Sequence, residues 1–362
     1  MSVFYNIPQP NNDLAALIQS AGNISNNVSQ SISHTSGSTQ NDVLYEMVRQ
    51  KNLRIRALRE RFSQIENPKI YLTDHIFHAV ELKDNMELFN MKDRNEPFVD
   101  SIVILSNNNV MVDNNINKYI RLWLDSPSSI FVIWDFDNHH WFSLSSMLAA
   151  ASDLYVPTHS DNLEPLSRYN NIMMGPVSSG VIQWSRKFLD DNVDIIKNTE
   201  RSDEPYGTHI EYPQFPYRNK NLKLLTQKMP KVKLVDGSYH GRDIIDRFTE
   251  WCSYKVHWIV PVLNDAPIRI FDALITGGIP IVPRSLKYHR DVIGLHDYIL
   301  FYDYEDVQNP LTIAEEGVKI FNEGGEQGMY FRHILGKDFH HVDNRVKDIL
   351  KGIRDEFGCR IT

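Results

Sequence analysis

Two short stretches of this 362-residue chain carry side chains whose types and spacing suit chemistry. In Asn264–Pro283 (NDAPIRIFDALITGGIPIVP), Ile268, Phe271 and Ile275 follow the 3–4 spacing of a helical core face. Arg269, Asp272 and Thr276 repeat that spacing on a second face. A cation and a carboxylate about one turn apart near a helix start suit a nucleotide, phosphate at one end and ribose hydroxyls at the other. The second stretch is Asp135–Trp141 (DFDNHHW), which follows the apolar run Ile130–Trp134 and precedes a helical pattern from Ser143. Its residues supply a general base and a carboxylate to orient it, His139 or His140 with Asp137, and an indole, Trp141, that can stack on a sugar ring. Which histidine acts stays open.

These stretches need elements to hold them. Lys255–Leu263 is apolar and β-prone, and Ile279–Pro283 resumes a buried run after the helix. Asn264 and Asp265 suit its cap, Pro267 its first turn, and Gly277 and Gly278 its stop. Further β-prone runs at Lys69–Leu72, Ser101–Leu105, Ile130–Trp134 and Leu154–Pro157 alternate with helical patterns at Ile116–Leu124 and Ser143–Ser152. A second alternation runs from Val232 to about Tyr304. The pattern predicts an α/β chain with two Rossmann-like domains, each on a parallel sheet, and ligands in a cleft at the carboxyl ends of the strands. The expected divisions are a flexible N-terminal segment at 1–41, a helix at 42–66, a first domain at 67–202, a second at 203–345, and a helix at 346–362 that crosses back. A helix is also expected near Gly180–Leu189, and Asp203–Arg218, dense in Pro and Tyr, reads as the interdomain crossing.

The run Pro267–Val282 resembles the donor-domain signature of GT-B glycosyltransferases, roughly P-x-R-x-x-E-A-x-x-x-G-x-x-P-V. Exostosin-like and fucosyltransferase-like branches of that fold carry similar runs. The resemblance covers about twenty residues and implies that Asp272, standing where the family usually has Glu, holds the donor ribose. It also implies that Gly277 and Gly278 let the backbone approach the donor. The change from Glu to Asp shortens the reach by one methylene. Implied with the fold is an enzyme that moves a sugar from a nucleotide-activated donor to a glycan or glycolipid acceptor. Its expected setting is microbial surface polysaccharide or lipopolysaccharide synthesis, and no cofactor is required.

Other groups could meet the donor phosphates. In Asp236–Asp243 (DGSYHGRD), Gly237 and Gly241 permit tight turns, and His240 and Arg242 add positive charge. Arg218 in the crossing segment and Arg284 with Lys287 after the last strand of the signature are further candidates. Asp135 and Asp137 also spell a D-x-D pattern; a divalent metal there is not favoured, because the GT-B fold normally works without one. Competing readings are a metal-dependent hydrolase using DFDNHHW, a sugar-nucleotide epimerase, and a non-catalytic assembly protein that docks through its N-terminal helix.

The bulk numbers narrow the field. Lys plus Arg number 38 and Asp plus Glu 46, a net charge of -8 that argues against a nucleic-acid binder. Only Cys252 and Cys359 occur, which fits a reducing compartment and argues against a disulfide framework or a cysteine zinc site. No run reaches the ~18 apolar residues of a membrane span, so a cytoplasmic protein is expected. Arg49, Arg54, Arg56, Arg59 and Arg61 on the N-terminal helix could face a dimer partner or make a peripheral membrane contact with anionic headgroups. No G-x-G-x-x-G follows a strand and no G-x-x-x-x-G-K-[ST] occurs, which disfavours a dinucleotide oxidoreductase and a P-loop NTPase.

Overall fold

The structure, a computed structural model, describes residues 40–111, 115–236 and 241–361. Most of the segment expected to be flexible lies outside these residues, as do Gly237 and His240. The described residues form two compact units, one comprising 40–77, Leu82–Val177 and 347–361, the other His78–Glu81 with Ser178–Val346.

The first unit is built on five parallel strands, β1 (Lys69–Thr73), β2 (Met86–Phe89), β3 (Ser101–Ser106), β4 (Ile130–Asp135) and β5 (Leu154–Pro157), in the order β2-β1-β3-β4-β5. Every residue of β3, β4 and β5 is buried. That is why these strands read as unbroken apolar runs: helices cover both faces of such a sheet. The edge strand β2 (MELF) is half-exposed and paired only with β1, so its sequence lacks that signal.

The long N-terminal helix, Gln40–Phe62, buries Lys51, Ile55, Leu58 and Phe62, a 4-3-4 spacing. The apolar Leu53 is exposed, and a lysine occupies the core stripe instead. Lys51 Nζ donates to the carbonyls of Ala149, Ala150 and Tyr169 at 2.6, 3.1 and 3.3 Å, the first two at the negative end of the helix Phe142–Ala150. Burial drives its pKa down to about 7, with the Asp153 charge opposing. Arg54 pairs with Asp153, Arg59 with Glu356 and Arg61 with Asp100, so three of the five arginines are engaged by carboxylates of their own unit.

In the second unit, β8 (Val256–Trp258), β9 (Ile279–Pro283) and β10 (Leu300–Tyr302) form one parallel sheet, and β6 (Gly207–His209) with β7 (Val232–Leu234) another. A parallel bridge between Tyr206 and His257 links β6 to β8. The joined order is β7-β6-β8-β9-β10, the same winding as in the first unit: second, first, third, fourth, fifth. In such a sheet the winding direction reverses between the first and third strands, and their carboxyl ends part to leave a crevice.

Asp203–Arg218 is not a crossing. It lies within the second unit, which the chain enters at Ser178. Its Tyr206 stacks on Tyr254 at 4.5 Å, Gly207–His209 forms β6, and Pro216 opens the helix Pro216–Lys228. The helix expected near Gly180 begins instead at Arg186, where the Ser185 hydroxyl accepts from Phe188 N. A 29-residue helix, Leu311–Phe339, is broken at Gly325 (φ 53°, ψ -153°), and Val342–Phe357 closes the chain. Among the described residues no helix is long and apolar enough to cross a membrane.

Candidate functional site

In the second unit, charge gathers where the winding reverses, at the carboxyl ends of β6 and β8. His209 ends β6, is fully buried, and has Nε2 3.1 Å from the Trp258 carbonyl. Burial, then the charges of Arg269 and Arg218, hold its pKa well below the usual imidazole range, so the ring is neutral. Arg218, in the first turn of Pro216–Lys228, donates from Nε to Pro261 O (2.8 Å), from Nη1 to Ile210 O (2.9 Å) and from Nη2 to Val260 O (3.2 Å). Its pKa is lowered to about 10, first by burial and then by Arg269, while Asp265 acts the other way. Arg269, half-buried on the signature helix Ile268–Ile275, acts electrostatically on His209, Arg218 and Asp272 alike.

The start of that helix carries no side-chain cap. The Asp265 carboxylate, expected to cap it, accepts from Val262 N at 2.8 Å and closes the turn after β8. Two arginines that repel each other thus sit beside an uncapped helix N-terminus, an arrangement that an anion would relieve.

The two-faced pattern of the signature helix is not what packs. Ile270 to Ile275 are all buried, polar face included, because the helix is covered on all sides. Asp272 is fully buried: Oδ2 accepts from Gln183 Nε2 at 2.5 Å, and Oδ1 has no partner among the described residues. Gln183 in turn accepts from Arg247. Burial raises the Asp272 pKa to about 7, tempered by Gln183, Arg269 and Arg247. Thr276 donates back to the Asp272 carbonyl at 2.8 Å. Gly277 adopts φ 79°, and a Cβ there would lie 2.5 Å from Met329 Cγ; a Cβ on Gly278 would lie 2.4 Å from the His257 ring. Packing against Met329 and His257 therefore accounts for both glycines.

In the first unit, Asp135–Trp141 follows β4 at its carboxyl end, as the sequence predicts. Asp135 is fully buried, with Oδ2 accepting from Tyr155 Oη at 2.6 Å and Oδ1 from Asp137 N at 2.9 Å. Burial lifts its pKa to about 6, opposed by Tyr155, Ser145 and Asp137 N. Asp137 accepts from Asn107 Nδ2 at 2.6 Å, and its other oxygen lies 3.2 Å from His140 Nε2. All four carboxylate oxygens thus have protein partners. His139 is buried between the rings of His140 and His159, 4.4 and 4.0 Å away, and neither of its nitrogens has a hydrogen-bond partner among the described residues. Burial first, then His159 and His140, lower its pKa to about 2. Asn138 ties the loop down by donating to His159 O and Asp161 O and accepting from Thr158 N and His159 N. Trp141 is exposed.

Elsewhere, Arg242 pairs with Glu250 at 2.6 Å and Arg284 with Asp303 at 2.8 Å. Cys252 is buried, which pushes its thiol up to about 12. Four residues absent from the sequence reading shape these sites: Asn107, Tyr155, Gln183 and His209. Asn107 was findable, since it opens the β-to-α connection after β3 in the same way that Asp135–Trp141 follows β4.

No family model matches the chain, and no curated protein matches it. Among solved structures it is similar to one described as "Crystal structure of GtfA/B complex", with a TM-score of 0.37 and 12% identity over 71% of this chain. The chain spans 58% of that protein's length.

Proposed function

We propose that the chain is a GT-B-type glycosyltransferase that moves a sugar from a nucleotide-activated donor to a hydroxyl of a glycan or glycolipid acceptor. The observation that carries this reading is the gathering of Arg218, Arg269 and an uncapped helix start at the β6/β8 reversal of the second sheet. Open parallel sheets take phosphate-bearing ligands at that point. The donor diphosphate lies against Arg269 and the first-turn N–H groups, with Arg218 fixing the strand ends behind it. The ribose hydroxyls donate to Asp272 and take the place of Gln183.

The first unit supplies the acceptor chemistry. His140, oriented through Nε2 by Asp137, takes the acceptor hydroxyl proton as that oxygen attacks the anomeric carbon. The bond from that carbon to the donor phosphate oxygen breaks, the electron pair stays on phosphate, and Arg269 stabilises the added charge. A single displacement of this kind inverts the anomeric centre.

A thermal-shift panel of UDP, GDP, CMP and their sugars tests the donor site. Ligand at about 100 times its Kd adds roughly 2.7 kcal/mol, so one nucleotide series should raise Tm by several degrees, and Arg269→Gln should remove most of that rise. The reading fails if no nucleotide shifts the wild type, or if Arg269→Gln responds as the wild type does.

A further inference from the structure

The far end of the signature helix holds a second pair of arginines, at the amino-terminal ends of β8 and β9. Arg201 donates from Nη1 to Tyr254 O (3.1 Å) and from Nη2 to Ile196 O (3.1 Å) and Thr276 O (2.7 Å). Arg332 donates from Nε to Gly277 O at 2.9 Å. In part these cations do what cations do at a helix C-terminus, satisfying its last carbonyls.

That duty does not exhaust them. Arg201 Nε and Arg332 Nη2 are buried with no hydrogen-bond partner among the described residues, and Arg332 is only 4% exposed. Neither forms an ion pair among the described residues; burial lowers both pKa values, and Arg201 lowers that of Arg332 further. Both guanidinium groups lie over one ring, Phe321, at 5.4 and 5.1 Å. Two buried like charges with donors to spare are costly unless something anionic joins them.

A cavity of about 370 Å³ opens beside Arg201, lined also by Lys197, Thr199, Lys255, Phe321 and Glu326. Three cations face one acid there, and Lys255 is partly offset by Asp203 at 2.5 Å. The break at Gly325 keeps its wall open: a Cβ on that residue would meet nothing within 4 Å, and Gly324 and Gly328 likewise put no side chain against Arg332. We propose that this cavity is a second anion site, taking the phosphoryl group of a small soluble phosphorylated molecule against Arg201 and Lys197, with the charge of the neighbouring Arg332 adding to theirs. It is separate from the Arg218–Arg269 site, since the two lie at opposite ends of the same helix and its flanking strands.

Isothermal titration of the full chain with pyrophosphate tests this. Lys197 is exposed, so Lys197→Glu leaves the core intact while reversing a charge at the cavity; it should weaken binding about tenfold, equivalent to 1.4 kcal/mol. Arg201→Gln should weaken it at least as much, and Arg269→Gln should leave this binding within about twofold. If both sites take the ion, the stoichiometry is two and Lys197→Glu removes one. Absence of binding, or binding that only Arg269→Gln weakens, overturns the proposal. Flotation with phosphatidic-acid vesicles in the absence of pyrophosphate binding would assign the phosphoryl group to a lipid headgroup and overturn the soluble-ligand assignment.

Discussion

The loop after β4 and the surroundings of the signature helix both concentrate polar groups at strand ends, yet they spend them differently. In the first unit, Asp135, Asp137 and Asn138 are tied to Tyr155, Asn107, His140 and five backbone groups. In the second, two pairs of arginines lie close enough to oppose each other, and Asp272 keeps an oxygen without a partner among the described residues. Satisfied networks hold a geometry, and leftover capacity marks where a ligand completes the electrostatics. With its carboxylates tied and its unpartnered His139 neutral, the first region suits orientation of a reacting group, and the second, where charge is left unbalanced, suits binding of charge.

The largest expected effect breaks the orienting side. His140→Gln removes the base that Asp137 orients, and kcat should fall about 10²–10⁴-fold, measured with whichever nucleotide sugar the thermal panel identifies. The nucleotide-induced Tm shift should persist, because the donor cations belong to the other unit. A variant that loses the shift but keeps the rate would reverse the assignment.

Asp272 comes next, since its buried charge is a liability to the free protein. Its pKa is raised from 3.8 to about 7. A carboxyl raised in the folded state contributes stability that is full below its unfolded pKa and is lost as pH climbs through about 7. Asp272→Asn cannot ionise, so at pH 8 it should be more stable than the wild type by on the order of 2–4 kcal/mol. The gap should close toward pH 4, as denaturant titrations at the two pH values would reveal. The same variant should lose part of the nucleotide-induced shift, so that stability and binding move in opposite directions.

The two arginines at the β6/β8 reversal should separate cleanly. Arg218→Gln strips donors from three carbonyls and should cost about 3 kcal/mol of stability. Arg269→Gln relieves Arg218 of a like charge and should not lower Tm, while weakening donor binding by about 2 kcal/mol, roughly thirtyfold. Equal losses of stability in both would mean that Arg269 is also structural.

The legible part of this molecule was the part with local signals. β3, β4 and β5 are buried on both faces and were readable as apolar runs, and the loop after β4 followed from its strand. The signature helix was found from its spacing and its Gly-Gly stop, although its polar face turned out to be packed. The reversal point in the second sheet was not legible, because β6 is three residues (Gly-Thr-His) inside a Pro- and Tyr-dense segment. Lys51 sits where a core residue belongs, and only the carbonyls of Ala149, Ala150 and Tyr169, about a hundred positions away, make sense of it. Gln183 reaches Asp272 across 89 positions. Pairings of that kind depend on the completed fold, and no window of sequence contains both partners.

The smallest expected effect concerns His139, whose neighbours give it company without hydrogen bonds. Its pKa falls from 6.5 to about 2 in the folded chain. A base depressed in this way stays neutral when folded, so the unfolded chain binds the extra proton and the group's contribution is lost as pH drops below 6.5. At pH 5.5 the wild type should have lost about 1.4 kcal/mol through this residue relative to pH 8. His139→Phe carries no such proton, and its stability should fall less over the same interval by that amount. Parallel pH profiles for the two proteins would instead mean that the ring takes up its proton in the folded state, leaving His139 available to act beside His140.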